Sequence, residues 1–126
     1  MNDDTMRVVI ADDQPHACSA IRLLLAQEPG ITVVGEAAGV EEALALVAAQ
    51  RPDLVLLDWE LAGQEGAWVL DRLRAARPGL AVIALSGLPD ARQAALNAGA
   101  DGFVSKSDPP EQLLAAIKAC RYRLVT

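Results

Sequence analysis

Three short runs, Val8-Val9-Ile10-Ala11, Leu54-Val55-Leu56-Leu57 and Val82-Ile83-Ala84-Leu85, are apolar at every position. A half-exposed strand alternates apolar and polar residues, so a short unbroken run bounded by turn residues reads as a strand covered on both faces. Such strands belong to parallel sheets, whose crossover connections lay helices over either side. Strands are expected over Arg7–Ala11, Ile31–Glu36, Asp53–Asp58, Leu80–Ser86 and Gly102–Ser105. Between them apolar residues recur at three- and four-residue steps: Ala17, Ile21, Leu24 and Leu25, then Ala43, Leu44 and Val47, then Val69, Leu70 and Leu73. Pro29-Gly30, Pro52, Pro78-Gly79 and Gly99 fall just past periodic stretches, where a helix cannot continue or needs a left-handed residue. Asp108-Pro109-Pro110-Glu111 opens the last helix with a capping carboxylate, prolines in the donor-free first turn and a second carboxylate. The 126 residues, with no internal repeat or linker, thus read as βαβαβαβαβα, one α/β domain with a parallel sheet and helices on both faces.

Composition serves mainly to exclude. No apolar run approaches the roughly 18 residues a membrane span needs, and Met1-Asn2-Asp3-Asp4-Thr5 is acidic where a secretory signal is basic and then apolar. A cytoplasmic protein outside any membrane is expected. The formal charge is −6, from 11 basic and 17 acidic residues, so the domain lacks the basic face that displaces phosphate counterions, and no direct nucleic-acid binding is expected. Cys18 and Cys120 lie far apart without C-x-x-C spacing, which suggests two buried small hydrophobes rather than a zinc site or redox dithiol.

In an open parallel sheet, chemistry gathers beyond the carboxyl ends of the strands. The first strand ends in Asp12-Asp13, the third in Asp58, the fourth in Ser86, and the fifth runs into Lys106; the second offers only Glu36. Any one of these could be a turn or capping residue. Together they place three carboxylates, a hydroxyl and an ammonium at one edge. At roughly 4 Å and an effective dielectric near 20, each like-charge pair costs about 4 kcal/mol before screening, so a cation is needed among them. An oxygen-only donor set suits a hard divalent cation such as Mg²⁺. A cation and a lysine beside a strand-end carboxylate would let that carboxylate receive a phosphoryl group, with the hydroxyl bonding the product.

With Val8-Val9-Ile10-Ala11-Asp12-Asp13, Asp53-Leu54-Val55-Leu56-Leu57-Asp58, Ala84-Leu85-Ser86-Gly87, Phe103-Val104-Ser105-Lys106, Gly66 and Ala98-Gly99-Ala100, the chain resembles the receiver domain of bacterial two-component response regulators from about Arg7 to Arg121. Ala11–Leu25 is similar to the branch whose members often carry a LuxR-type helix-turn-helix output domain. The resemblance implies a flavodoxin-like doubly wound (βα)5 fold with strand order 2-1-3-4-5, and a single receiver domain over residues 1–126 with no output domain in this chain. It implies a phosphorylation-dependent switch rather than a turnover enzyme. Asp58 would be the phosphoacceptor, taking a phosphoryl group from a sensor histidine kinase or phosphotransfer protein. Mg²⁺ (or Mn²⁺) would be bound by Asp13, Asp58 and the backbone carbonyl of Glu60, with Asp12 acting through water. Lys106 would contact the phosphoryl group, Ser86 would move to hydrogen-bond it, and Phe103 would swing inward. The face formed by the fourth helix, fifth strand and fifth helix would carry the signal and could form a homodimer.

Glu60 and Leu88, two residues beyond Asp58 and Ser86, occupy positions that tune phosphoryl lifetime in this family, and Glu60 is expected to modulate lifetime or metal affinity. Ala62-Gly63-Gln64-Glu65-Gly66 departs from the commoner Pro-Gly-x-Asp-Gly, and Phe103 lacks the hydroxyl of the frequent tyrosine. His16 reads as solvated, Trp59 as lying at the rim of the site, Trp68 as packing on the third helix, and Arg72, Arg74 and Arg77 as a solvated helix face. Two other functions compete. A pseudo-receiver would keep the fold without phosphorylation, although the acidic and lysine set is complete. A haloacid dehalogenase-type phosphatase would place its nucleophile after the first strand rather than the third, and would turn over a phosphate ester.

Overall fold

The computed structural model describes residues 5–125, the last three of them for their backbone alone. Strands and helices alternate in the order β1 (Met6–Ala11), α1 (Pro15–Ala26), β2 (Ile31–Ala37), α2 (Val40–Gln50), β3 (Leu54–Asp58), α3 (Gly66–Ala76), β4 (Ala81–Ser86), α4 (Ala91–Asn97), β5 (Gly102–Ser105) and α5 (Pro110–Val125). The five strands form one sheet in the order β2-β1-β3-β4-β5, with every pairing parallel. This is the flavodoxin-like arrangement expected from the sequence. The strand limits differ from expectation by a residue at most. Asp53, for one, lies just outside β3, and its carboxylate accepts the Arg7 N–H at 2.9 Å.

The unbroken apolar runs split their side chains between two cores. Met6, Val8, Ile10, Leu54, Leu56, Ala81, Ile83 and Leu85 pack with Cys18, Ile21 and Leu25 of α1 and Leu113, Ile117 and Cys120 of α5. The intervening residues Val9, Ala11, Val55, Leu57, Val82 and Ala84 pack with the buried faces of α2, α3 and α4. Both cysteines are buried, as expected. The central strands β3 and β4 are buried at every position, so a polar group on either has to sit at a strand end or find a partner.

Several helix-end and surface expectations need correction. Asp108 does not cap α5; its Oδ2 accepts the Ser105 N–H at 3.0 Å, closing a turn that lets the helix begin at Pro110. The end of α2 before Pro52 is as expected, with Arg51 in the left-handed position (φ 48°). The arginines of α3 are not simply solvated. Arg74 donates to the Gly99 carbonyl (2.7 Å), the Leu80 carbonyl (3.3 Å) and Asp101 Oδ2 (2.6 Å), and that same oxygen accepts the Val82 N–H at 2.8 Å. Arg77 donates to the Pro52 carbonyl at 2.6 Å, and Arg72 pairs with Glu41 at 3.1 Å. Each guanidinium thereby satisfies backbone or carboxylate oxygens at the amino-terminal end of the sheet or on α2, an arrangement that helical periodicity does not reveal. Trp68, expected to pack, is 43% exposed, with the Arg72 guanidinium 5.1 Å from its ring centroid.

Candidate functional site

Because all strands run the same way, their carboxyl ends share one edge, and the order β1-β3-β4-β5 sets Asp12, Asp58, Ser86 and Lys106 side by side. Asp58 is the last residue of β3 and pairs with Leu85; Ser86 is the last of β4 and pairs with Ser105. The Lys106 N–H continues that ladder to the Ser86 carbonyl at 2.9 Å. Two local turns then aim the carboxylates. Asp12 Oδ1 accepts the Gln14 N–H at 2.9 Å, and Asp58 Oδ1 accepts the Glu60 N–H at 3.0 Å. Each aspartate is thus held through Oδ1 and has Oδ2 left over.

Those remaining oxygens face Lys106. Its Nζ lies 2.9 Å from Asp12 Oδ2, 3.5 Å from Asp58 Oδ2 and 2.9 Å from Gln14 Oε1. The Asp12 carboxylate is buried, and its Oδ2 pairs with this ammonium. Asp13 is exposed, and its Oδ2 accepts the Ala62 N–H at 3.2 Å, tying down the Leu61–Gly63 turn in which Ala62 is left-handed (φ 51°). One oxygen from each of Asp12, Asp13 and Asp58 lies within 4.8 Å of the others.

The charges in this cluster do not balance. Burial, reinforced by the charges of Asp12 and Glu60, pushes the Asp58 carboxyl up to about 6 against the opposing pull of the Glu60 N–H and Lys106. Burial would lower Lys106, but its contact with Asp12, and then with Asp58, outweighs this and holds the ammonium above its ordinary value. Two buried carboxylates share one ammonium, an oxygen of a third lies within 4.8 Å of theirs, and all three acidic groups offer oxygen alone. This donor set fits a hard divalent cation.

Ser86 is wholly buried, and its hydroxyl is fully engaged. Oγ lies 2.9 Å from both carboxylate oxygens of Glu60, to which it donates, and accepts the Leu88 N–H at 3.0 Å. The family resemblance implies a carbonyl and a tuning role for Glu60 but not this partner. The available signal was that an acid two residues past β3 and a hydroxyl closing the adjacent β4 share one edge. Gln14 on Lys106 was also missed. Leu88 contributes its backbone N–H here, while its side chain is exposed. Phe103 is half-buried against the α2–α3–α4 core, with the Arg92 guanidinium 5.4 Å from its ring centroid. His16 is exposed. Trp59 is not at the rim: it is buried in that same core, against Gly66, where a Cβ would come within 2.3 Å of its ring. Gly66 has to be glycine while Trp59 lies there.

Comparison with known proteins agrees with this geometry. Residues 8–118 match the model of the response regulator receiver domain. The chain is 35% identical over 118 residues to the nitrate/nitrite response regulator protein NarL of Escherichia coli K12, covering 92% of this chain and 55% of that protein. It is 34% identical over 118 residues to the DNA-binding transcriptional activator EvgA of the same organism, covering 92% and 57%. The chain therefore spans little more than half the length of these curated relatives. Among solved structures, a LuxR-family two-component response regulator from Aurantimonas sp. SI85-9A1 superposes with a TM-score of 0.86 at 32% identity, covering 94% of this chain and 86% of that one. A CheY-like receiver domain protein from Methanospirillum hungatei JF-1 gives 0.83 at 30% identity, covering 94% and 95%.

Proposed function

The chain belongs to the response regulator receiver family, whose domains are signalling switches, and from that premise we propose that it accepts a phosphoryl group on Asp58 and changes conformation in response. The observation that carries this reading is the pairing at the sheet edge: a buried Asp58 Oδ2 facing the Lys106 ammonium, beside a buried Asp12 oxygen paired with the same ammonium. Mg²⁺ or Mn²⁺ would be held by Asp13, Asp58 and the Glu60 carbonyl, with Asp12 acting through water. When bound, the cation neutralises carboxylate charge and that on the phosphoryl oxygens.

The residues themselves supply attack and orientation. Asp58 Oδ1 is held by the Glu60 N–H, which leaves Oδ2 toward the cluster centre as the attacking oxygen. Attack forms the acyl-phosphate O–P bond as the phosphorus bond to the donor breaks, and the donor's leaving group retains the electron pair. Lys106, anchored by Asp12 and Gln14, is 3.5 Å from the reacting oxygen, placed to follow the incoming charge. Ser86 and Phe103 then read out the new group on β4 and β5.

The donor in this reading is a sensor histidine kinase or phosphotransfer protein, and the surface of α4, β5 and α5 carries the signal, with a homodimer there as one form. The relative EvgA, a DNA-binding transcriptional activator, suggests an output in gene regulation, with this acidic domain making no nucleic-acid contact itself. No described helix is long and apolar enough to cross a membrane, and a cytoplasmic location accords with this reading. Intact-protein mass after incubation with Mg²⁺ and acetyl phosphate is the test. A single phosphoryl-sized increase, lost in Asp58→Asn and without Mg²⁺, is expected. No adduct, together with no beryllofluoride binding, overturns the reading in favour of a pseudo-receiver.

A further inference from the structure

The acceptor chemistry uses Asp58, the acidic cluster and Lys106, yet the most completely bonded polar group at the edge is the Ser86 hydroxyl. It carries one proton and two lone pairs. The proton is directed at the Glu60 carboxylate, whose two oxygens are both 2.9 Å away, and a lone pair takes the Leu88 N–H. Ser86 is wholly buried, so no water substitutes for either partner. On the reading of Asp58 as phosphoacceptor, this hydroxyl can donate to a phosphoryl group only after it leaves Glu60.

We infer that Glu60 is a positioning residue that keeps Ser86, and through it the Gly87–Leu88 loop, in the resting arrangement by offering an internal carboxylate where a phosphoryl group on Asp58 would otherwise be the acceptor. The backbone on either side of Glu60 is fixed. Its own N–H is bound to Asp58 Oδ1, the Trp59 N–H bonds the Leu85 carbonyl at 2.8 Å, and Leu61 is fully buried. Only the side chain can yield, and Glu60 is partly exposed, so its carboxylate has a path to water. A phosphoryl group on Asp58 places roughly −1.5 to −2 charge where the carboxylate alone carried −1, and drives the Glu60 carboxylate outward by like-charge repulsion. The hydroxyl proton then exchanges one anionic acceptor for another. Because Oγ also holds the Leu88 N–H, its movement frees the loop leading into α4. The bias is separate from any effect on phosphoryl lifetime: it acts before transfer, on the resting protein.

A double-mutant cycle on beryllofluoride affinity in saturating Mg²⁺ tests this, using the parent, Glu60→Ala, Ser86→Ala and the double variant. Removing the carboxylate eases binding of the anion by charge alone and, with Ser86 present, also by releasing the hydroxyl. Glu60→Ala should tighten binding about tenfold with Ser86 in place, but only about two- to threefold in the Ser86→Ala background. In the resting protein, hydrogen exchange at the Leu88 amide should quicken in Glu60→Ala and stay near parental in Glu60→Gln, which keeps an acceptor oxygen without the charge. Equal gains in both backgrounds, or Leu88 exchange identical in all three proteins, overturn the inference while leaving Asp58 as acceptor. Absence of beryllofluoride binding in every variant overturns the phosphoacceptor reading, and this inference with it.

Discussion

Replacing Asp58 with asparagine should stabilise the cation-free protein. The side chain is only 4% exposed, and burial with the Asp12 and Glu60 charges has pushed its carboxyl from 3.8 up to about 6. At pH 7.5 both folded and unfolded chains carry the ionised form, which the folded state disfavours by about two pKa units, or about 3 kcal/mol. The sign follows from the folded value lying above the unfolded one. The stability held by this group is complete below about pH 4, is lost as pH rises through about 6, and stays lost above. Asparagine removes the charge while its Oδ1 can keep the Glu60 N–H; its NH₂ group, facing Lys106, offsets part of the gain. The expected gain at pH 7.5 is therefore about 1–3 kcal/mol, a rise in Tm of several degrees for a domain of this size. Urea unfolding with EDTA at pH 7.5 and pH 5 gives two readings, and the difference between parent and variant should fall to about half at the lower pH as Asp58 protonates. Mg²⁺ at 10 mM, on the order of a screening concentration, should raise the parent more than the variant and narrow the gap at pH 7.5. A variant no more stable than the parent in EDTA, or a gap that does not shrink at pH 5, would refute the burial argument.

Other substitutions probe other parts of the structure. Arg74→Ala should cost about 2–4 kcal/mol in urea unfolding, because it strips a cation from Asp101 and donors from two carbonyls, while the phosphoryl adduct still forms at Asp58. Gly66→Ala should lose about 1–3 kcal/mol in thermal unfolding, since its Cβ drives into the Trp59 ring, and much of that loss should be regained with Trp59→Leu. Lys106→Ala should tighten Mg²⁺ about three- to tenfold in calorimetric titration, because it removes the ammonium that competes for the same carboxylates. The same variant should lose most acetyl phosphate-driven adduct in the mass assay; retention of both parental values would remove Lys106 from the site.

The parts of the molecule that could be read from the sequence share one property: each breaks an otherwise apolar run. Asp12, Asp58 and Ser86 are legible because a polar residue closing a largely buried strand has nowhere to go but the strand's end, and Lys106 because it follows the neighbouring β5 at the same edge. The two-sided core is legible for the same reason. What the sequence concealed depends on partners brought together by topology. Arg74 and Arg77 bond carbonyls on other elements, and a carbonyl leaves no trace in residue identity. Trp59 and Trp68 exchanged expected roles because hydrophobicity does not say which ring a helix start covers; Gly66 was the clue, since only a residue without Cβ admits a ring that close. Glu60 and Ser86 required the adjacency of β3 and β4 before their bond could be seen.

The split of the sheet into two helix-covered cores also bears on how such a chain can diverge. The groups at the strand ends hang from β1, β3, β4 and β5, whereas the outer surfaces of α1 to α5 hold none of them. Substitutions on those outer helix faces can change the molecule's address without disturbing its reaction, and a change at the strand ends can retime the reaction without altering the address. On the proposed function, recognition and timing would then draw on nearly disjoint sets of residues, so that partners could change while the acidic edge stays the same.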